Sequence, residues 1–170
     1  MAILWRKQMS VGNSIIDDQH RYLLCLMNTI ELAIRDKDNK DILQMFLDQL
    51  FEYTEYHFDH EERLQEKIKF PKAAEHKKEH QRILSDLKSI RSHFDKLLAT
   101  NEPEDSVDLA AAEEITDEEL NSLLEDEQTG EEEKDLAELT ALVRHWVIDH
   151  VIGDDLKMKP YLSKLPQTFC

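Results

Sequence analysis

Four stretches of the chain carry apolar residues at helical spacing, and each apolar stripe runs on into a histidine or a carboxylate. The second stretch, from about Lys40 to Glu66, shows this most clearly. Leu43, Phe46, Leu47, Leu50, Tyr53 and Thr54 mark an inner stripe that continues through His57, Glu61 and Leu64. Residues four apart share one face of a helix, so whatever buries the leucines also turns these polar side chains inward. The same pattern sets His20 ahead of Leu23, Leu26, Met27, Ile30 and Ile34, and His76 and His80 ahead of Leu84, Leu87, Phe94 and Leu98. In the last stretch Leu136, Leu139, Leu142, Val143 and Trp146 lead to His150. Burying such groups costs free energy unless something satisfies them, so the pattern calls for a partner in the core.

The rest of the chain agrees with long helices. Only three glycines and four prolines punctuate 170 residues, a length that suits one domain spanning 1–170. Four amphipathic helices, most joined by short connections, predict an all-α fold, an antiparallel up-down four-helix bundle. The first sixteen residues read as an N-terminal arm with a loop over Met9–Asn13, and the first helix is expected to begin near Asp17 and Asp18, whose charges suit a helix N-terminus. A polar break over Asp36–Asn39 separates it from the second helix, and Pro71 suits the first turn of the third. The fourth helix is expected from about Glu133 to Leu156.

One connection is not short. Residues 101–134 carry fifteen Asp and Glu against one lysine, which accounts for most of the net charge of -16. This segment reads as a mobile acidic insertion between the third and fourth helices, with one short amphipathic helix marked by a Thr116–Glu119 capping box and by Leu120, Leu123 and Leu124. The remaining body is close to neutral and offers no basic patch, which excludes nucleic acid as a partner. No apolar run is long enough to span a bilayer, and the N-terminus lacks the order of a secretory signal, so a cytoplasmic location is expected. Cys25, in an apolar stretch, reads as a buried free thiol, and the terminal Cys170 as an exposed one.

Five histidines and two carboxylates on inward stripes are a metal-binding inventory. They exceed the four ligands of a structural zinc and suit two six-coordinate ions that share both carboxylates, with one position open to a small molecule such as O₂. A lone HxxxH or HxxxE pair ordinarily marks a solvated face; here the pairs coincide with inner stripes on separate helices. His60, His93 and His145 fall off those stripes and are expected not to be ligands. His-Glu at 60–61 is no zinc-protease motif, because position 64 is leucine. The last carboxylate is ambiguous by spacing: on an ideal helix Asp154 shares the face of His150, whereas Asp155 lies about 140° away. Gly153 beside it would permit a distortion, and Asp149 is expected to face outward.

Taken in order, Trp5, Met9-Ser-Val-Gly12, Ile16-Asp-Asp-Gln-His20, His57-Phe-Asp-His-Glu61-Glu62, Pro71, His76-x-x-x-His80, Trp146 and His150-x-x-x-x-Asp155 resemble the hemerythrins, in particular the single-domain bacteriohemerythrins. The resemblance covers residues 5–100 and 135–160. It implies a non-haem, oxo- or hydroxo-bridged di-iron centre that binds O₂ reversibly. His76, His80 and His150 would hold one iron, His20 and His57 the other, and Glu61 and Asp155 would bridge them. O₂ would bind end-on at the less-coordinated iron and be held as a hydroperoxide. The choice of Asp155 over Asp154 rests on this resemblance.

The chain departs from that pattern in the acidic insertion, expected to be either a contact for a protein partner or a solvated spacer, and at Gln65, where relatives often carry Met. Gln65 lies one turn beyond Glu61 and either faces the core, where a polar group would promote loss of superoxide or peroxide, or turns to the bundle edge. The functional expectation is an O₂ carrier, store or sensor. The alternatives are a di-iron enzyme acting on peroxide or nitric oxide, and an iron-handling or repair protein. Five histidines against two carboxylates favour reversible binding.

Overall fold

The computed structural model describes residues 2–34, 40–100, 134, 138 and 140–169. The break at Asp36–Asn39, nearly all of the acidic segment 101–134, Leu136, Leu139, Cys170 and the side chains of His93, Phe94 and Leu98 lie outside the described residues, and so do the expectations attached to them. The described residues are helical, with no strand among them. After a 3-10 turn at Lys7–Met9 come α1 (Ser14–Ala33), α2 (Lys40–Lys67) and α3 (Ala73–Thr100). The last helix, α4, covers residues 140–162 and changes its winding along the way: α-helical over 140–146, π-helical over Val147–Asp154, 3-10 over Asp155–Met158, and α-helical again over Lys159–Leu162.

α1 begins earlier than its acidic residues suggested. Asn13 caps it, its side chain accepting from the backbone N–H groups of Ile15 and Ile16. Asp17 serves the arm instead: it is buried, and accepts from Val11 N–H at 2.8 Å and from Ser10 Oγ at 2.5 Å. Gly12, at φ +89°, takes the left-handed turn between them that a side chain would resist. The C-terminal segment closes over the same end, where Ser14 N–H donates to Gln167 O and Asn13 Nδ2 to Phe169 O.

α2 ends in a Schellman motif. Lys69 adopts φ 52°, Phe70 N–H reaches back to Gln65 O and Lys69 N–H to Glu66 O, while Phe70 and Leu64 belong to one apolar cluster. This reversal returns the chain into α3 within a few residues. Pro71 sits in the turn before α3, not within its first turn.

The core has two apolar layers. One gathers Leu23, Leu26, Met27, Ile30, Leu47, Leu50, Phe58, Ile83, Leu87, Val147 and Val151; the other gathers Val11, Ile16, Leu64, Phe70, Met158 and Leu162. α1, α2 and α4 place buried residues in both layers and α3 meets the second through Ala73 at its start, while the histidines and carboxylates of the sequence pattern lie where the layers adjoin. Two apolar expectations fail. Leu142 is 42% exposed, and Cys25 is exposed on α1, because residues 23, 26, 27 and 30 take the inner face and 25 points away from it. No helix among the described residues is long and apolar enough to cross a membrane.

Candidate metal centre

The seven side chains singled out by the sequence come together between the two apolar layers, and all are buried. They form two groups. In one, Glu61, His76, His80 and His150 offer ligand atoms within 4.8 Å of one another; in the other, His20, His57, Glu61 and Asp155 do the same. Glu61 belongs to both. Its Oε2 stands 3.2 Å from His76 Nε2, 3.2 Å from His80 Nε2 and 4.0 Å from His57 Nε2. Asp155 also spans the two sides, with Oδ1 at 3.1 Å from His76 Nε2 and 3.3 Å from His150 Nε2, and Oδ2 at 3.1 Å from His20 Nε2.

Apart from the His76 Nε2–Glu61 Oε2 hydrogen bond, most of these atoms approach without bonding. The Nε2 atoms of His20, His57, His80 and His150, Oε1 of Glu61 and both oxygens of Asp155 are buried without a hydrogen-bond partner. Each such atom costs about 1–3 kcal/mol if left alone, and native cores rarely leave so many together. Lone pairs that crowd within contact distance yet do not point at one another fit cations placed among them. Imidazole nitrogen with carboxylate oxygen is a donor set for first-row transition metals.

The outer faces of two imidazoles are fixed. His57 Nδ1 is 3.0 Å from Gln19 Oε1, and His80 Nδ1 is 3.0 Å from Glu62 Oε1. An acceptor on Nδ1 requires the proton there, which leaves the Nε2 lone pair facing the cluster. Gln19 is itself oriented by His60, whose Nδ1 lies 2.7 Å from Gln19 Nε2, and Glu62 by Lys77 at 2.6 Å. Phe58 stacks on His80 with ring centroids 3.7 Å apart, which holds that ring's plane.

The electrostatics are those of a mutually compensating cluster. Burial holds His57 at about 3 against the opposing pull of Glu61, and burial also lowers His150. At His76 burial acts in the same direction, but the two carboxylates of Asp155 and Glu61 outweigh it and raise the ring to about 10. Burial and Asp155 raise Glu61, yet His76 and His80 bring it down to about 2; Asp155 is likewise held well below the usual carboxylate range, chiefly by His150 and His20 against burial. With no ion bound, one protonated imidazole thus stands between two carboxylates.

The histidines left aside stay outside the cluster where they are described. His145 is exposed and pairs with Asp149 at 3.0 Å, and Asp149 faces outward as expected; His60 acts one shell out, through Gln19. Nothing in the local sequence marks Gln19 or Glu62 for a role at the centre. Both lie one residue off a ligand stripe, and only the packing of neighbouring helices brings them to the imidazole edges. Gln65 faces the core: it is 1% exposed, its Nε2 donates to Met158 Sδ at 3.4 Å, and its Oε1 has no partner.

Comparison with known proteins gives the same picture. The hemerythrin HHE cation binding domain matches residues 11–162. A bacteriohemerythrin of Stenotrophomonas maltophilia is 25% identical over 156 residues, covering 91% of this chain and 78% of that protein. Bacteriohemerythrins of Pseudomonas paraeruginosa and Pseudomonas aeruginosa are each 24% identical over 153 residues, covering 90% of this chain and 76% of theirs. With the domain match spanning most of its length, the chain belongs to the hemerythrin family.

Proposed function

We propose that the protein binds O₂ reversibly at a pair of iron ions, as a carrier, store or sensor in the cytoplasm. The observation that carries this reading is the two donor groups that share Glu61, three histidines in one and two in the other. His76, His80 and His150 would hold one ion and His20 and His57 the second, with Glu61 and Asp155 spanning them. The unequal histidine count leaves one position on the His20/His57 side for a small ligand. The iron pair supplies the electrons for binding; the residues supply the cage. Gln19 and Glu62 keep the His57 and His80 lone pairs inward, and the apolar layers keep bulk water from the site.

An antiparallel up-down bundle belongs to this reading. In α1 and α3 the chain passes from the Ile16/Phe70 layer through the cluster to the Leu23/Ile83 layer; in α2 and α4 it passes the other way, which supports that arrangement. The test is spectroscopic. The iron-loaded protein is reduced without air, exposed to O₂ and then purged. A visible charge-transfer band that appears and disappears over repeated cycles is expected, whereas immediate irreversible oxidation with peroxide turnover overturns the proposal.

The burial of Gln65 favours a second reading, a di-iron enzyme acting on peroxide. An amide with an unpaired carbonyl one turn from Glu61 is a polar group beside an apolar layer, and a polar neighbour favours departure of reduced, charged oxygen species. An unchanged autoxidation rate in Gln65→Met removes it.

A further inference from the structure

Three of the chain's four tyrosines meet where α1 packs on α2, outside the two donor groups. Tyr22 of α1 and Tyr53 of α2 hold their ring centroids 4.4 Å apart at a tilt of 58°. Tyr56, about one turn along α2, stands 5.8 Å from Tyr53. The fourth, Tyr161, packs on Phe70 instead. Gln49 Nε2 donates to the Tyr22 hydroxyl at 2.7 Å, which holds that ring against α2. Tyr22 is 36% exposed and Tyr56 54% exposed, whereas Tyr53, in contact with both, is half-buried.

A phenol that loses one electron at neutral pH also loses its proton, and the radical left behind carries spin on the ring carbons ortho to the oxygen. Two such radicals side by side join through those carbons. At the Tyr22–Tyr53 separation the ring edges touch, so the two partners are already positioned, and their reaction outruns encounter with another molecule. Burial, with Tyr56 and Tyr22 adding to it, raises the Tyr53 phenol above its ordinary value, so Tyr53 enters as the neutral phenol. The exposed rings of Tyr22 and Tyr56 meet the oxidant first. A Tyr56 radical then takes a hydrogen atom from Tyr53 across their contact, which moves the radical to the half-buried ring.

We propose that Tyr22 and Tyr53 are a site of oxidative cross-linking, at which a peroxide-driven one-electron oxidant joins the two rings by a carbon–carbon bond and staples α1 to α2. Each phenol gives up one electron and one proton. The ring hydrogens at the new bond move to the phenolic oxygens, so the pair loses two hydrogens in all. One hydrogen peroxide takes up those two electrons and two protons and becomes two waters. Tyr22 lies two residues after His20, and Tyr53 four before His57. The staple therefore ties together the two helices that carry the His20/His57 side of the cluster. The ring pair needs no metal ion for this reaction.

The test treats the full-length protein with limiting hydrogen peroxide and a haem peroxidase. The monomer is expected to gain dityrosine fluorescence, to lose the mass of two hydrogens, and to yield on proteolysis two fragments joined through Tyr22 and Tyr53. Tyr22→Phe and Tyr53→Phe keep the rings and drop only the hydroxyl, and each should cut monomer cross-linking by about tenfold or more. Tyr56→Phe and Tyr161→Phe should leave the Tyr22–Tyr53 link in place. The linked monomer should unfold at a higher urea concentration than the untreated protein, because the link constrains the unfolded chain. A monomer without the two-hydrogen loss, dityrosine found only between molecules, or a link that survives Tyr53→Phe overturns the proposal. An unchanged urea midpoint in the linked monomer overturns the stapling.

Discussion

Asp155 donates its backbone N–H to the carbonyl of His150, five residues back, and its Oδ1 stands 3.3 Å from His150 Nε2. The two side chains meet because the helix is π-wound between them. In α geometry a spacing of five leaves residues about 140° apart, and Asp154 would have taken the inner position. The wider π turn, closed by i to i+5 hydrogen bonds, returns Asp155 to the face of His150 and turns Asp154 out to an exposed pair with Lys157.

This geometry separates two neighbouring aspartates. Asp155→Ala is expected to lower metal affinity by at least about a hundredfold, because it removes the carboxylate that stands against His20 on one side and His76 and His150 on the other. Asp154→Ala should leave metal content unchanged. Metal analysis after dialysis against a weak chelator distinguishes them, and equal losses in both would sink the assignment.

Gln19 orients His57 from outside the two donor groups. Gln19→Leu should retain the helical circular dichroism yet bind metal about 10–100-fold more weakly, the usual cost of losing an outer-shell partner. Competition with a chromophoric chelator measures this; wild-type affinity would reduce Gln19 to a packing residue.

Stability of the metal-free protein should peak near pH 6.5. His57, lowered to about 3 in the fold, binds no proton there, while the unfolded chain takes one as pH falls below 6.5, so stability drops from 6.5 towards 3. Glu61, lowered to about 2, adds to the loss once pH passes below 4.5. His76 acts in the opposite direction: raised to about 10, its contribution is full below 6.5 and disappears as pH rises towards 10. Urea titrations from pH 4 to 9 would show the maximum. Metal uptake at neutral pH should release the His76 proton, detectable as acidification of an unbuffered sample.

Gln65 carries an opposite expectation. Its carbonyl is buried without a partner, so Gln65→Met should stabilise the metal-free protein by about 1–3 kcal/mol. Chemical denaturation tests this independently of iron. A destabilised variant would mean that the carbonyl is satisfied, as by an ordered water, or that the bond to Met158 Sδ outweighs its burial.

The stripes of α1, α2 and α3 were legible because a helix repeats its faces at a fixed period, and a polar side chain on an apolar stripe has to be buried with it. His20, His57, Glu61, His76, His80 and His150 could be picked out on that basis alone. The start of α1 was misread because Asp17 suits a helix N-terminus by charge, while its carboxylate is engaged by Ser10 and Val11 of the arm. Cys25 was misread because an apolar neighbourhood in sequence says nothing of phase.

By itself, then, the sequence determined which faces turn inward and which chemistry they carry, since both follow from local periodicity and residue type. Only the tertiary structure decided how α4 winds, that Gln19 and Glu62 reach the imidazole edges, and that Gln65 is buried. The imidazole contacts and the burial of Gln65 depend on how one helix packs against another, and the winding of α4 departs from the regular period, so no fixed local repeat encodes them. The choice between Asp154 and Asp155 lay at that boundary: spacing pointed to one, resemblance to the other, and the π turn supplies the physical reason for Asp155.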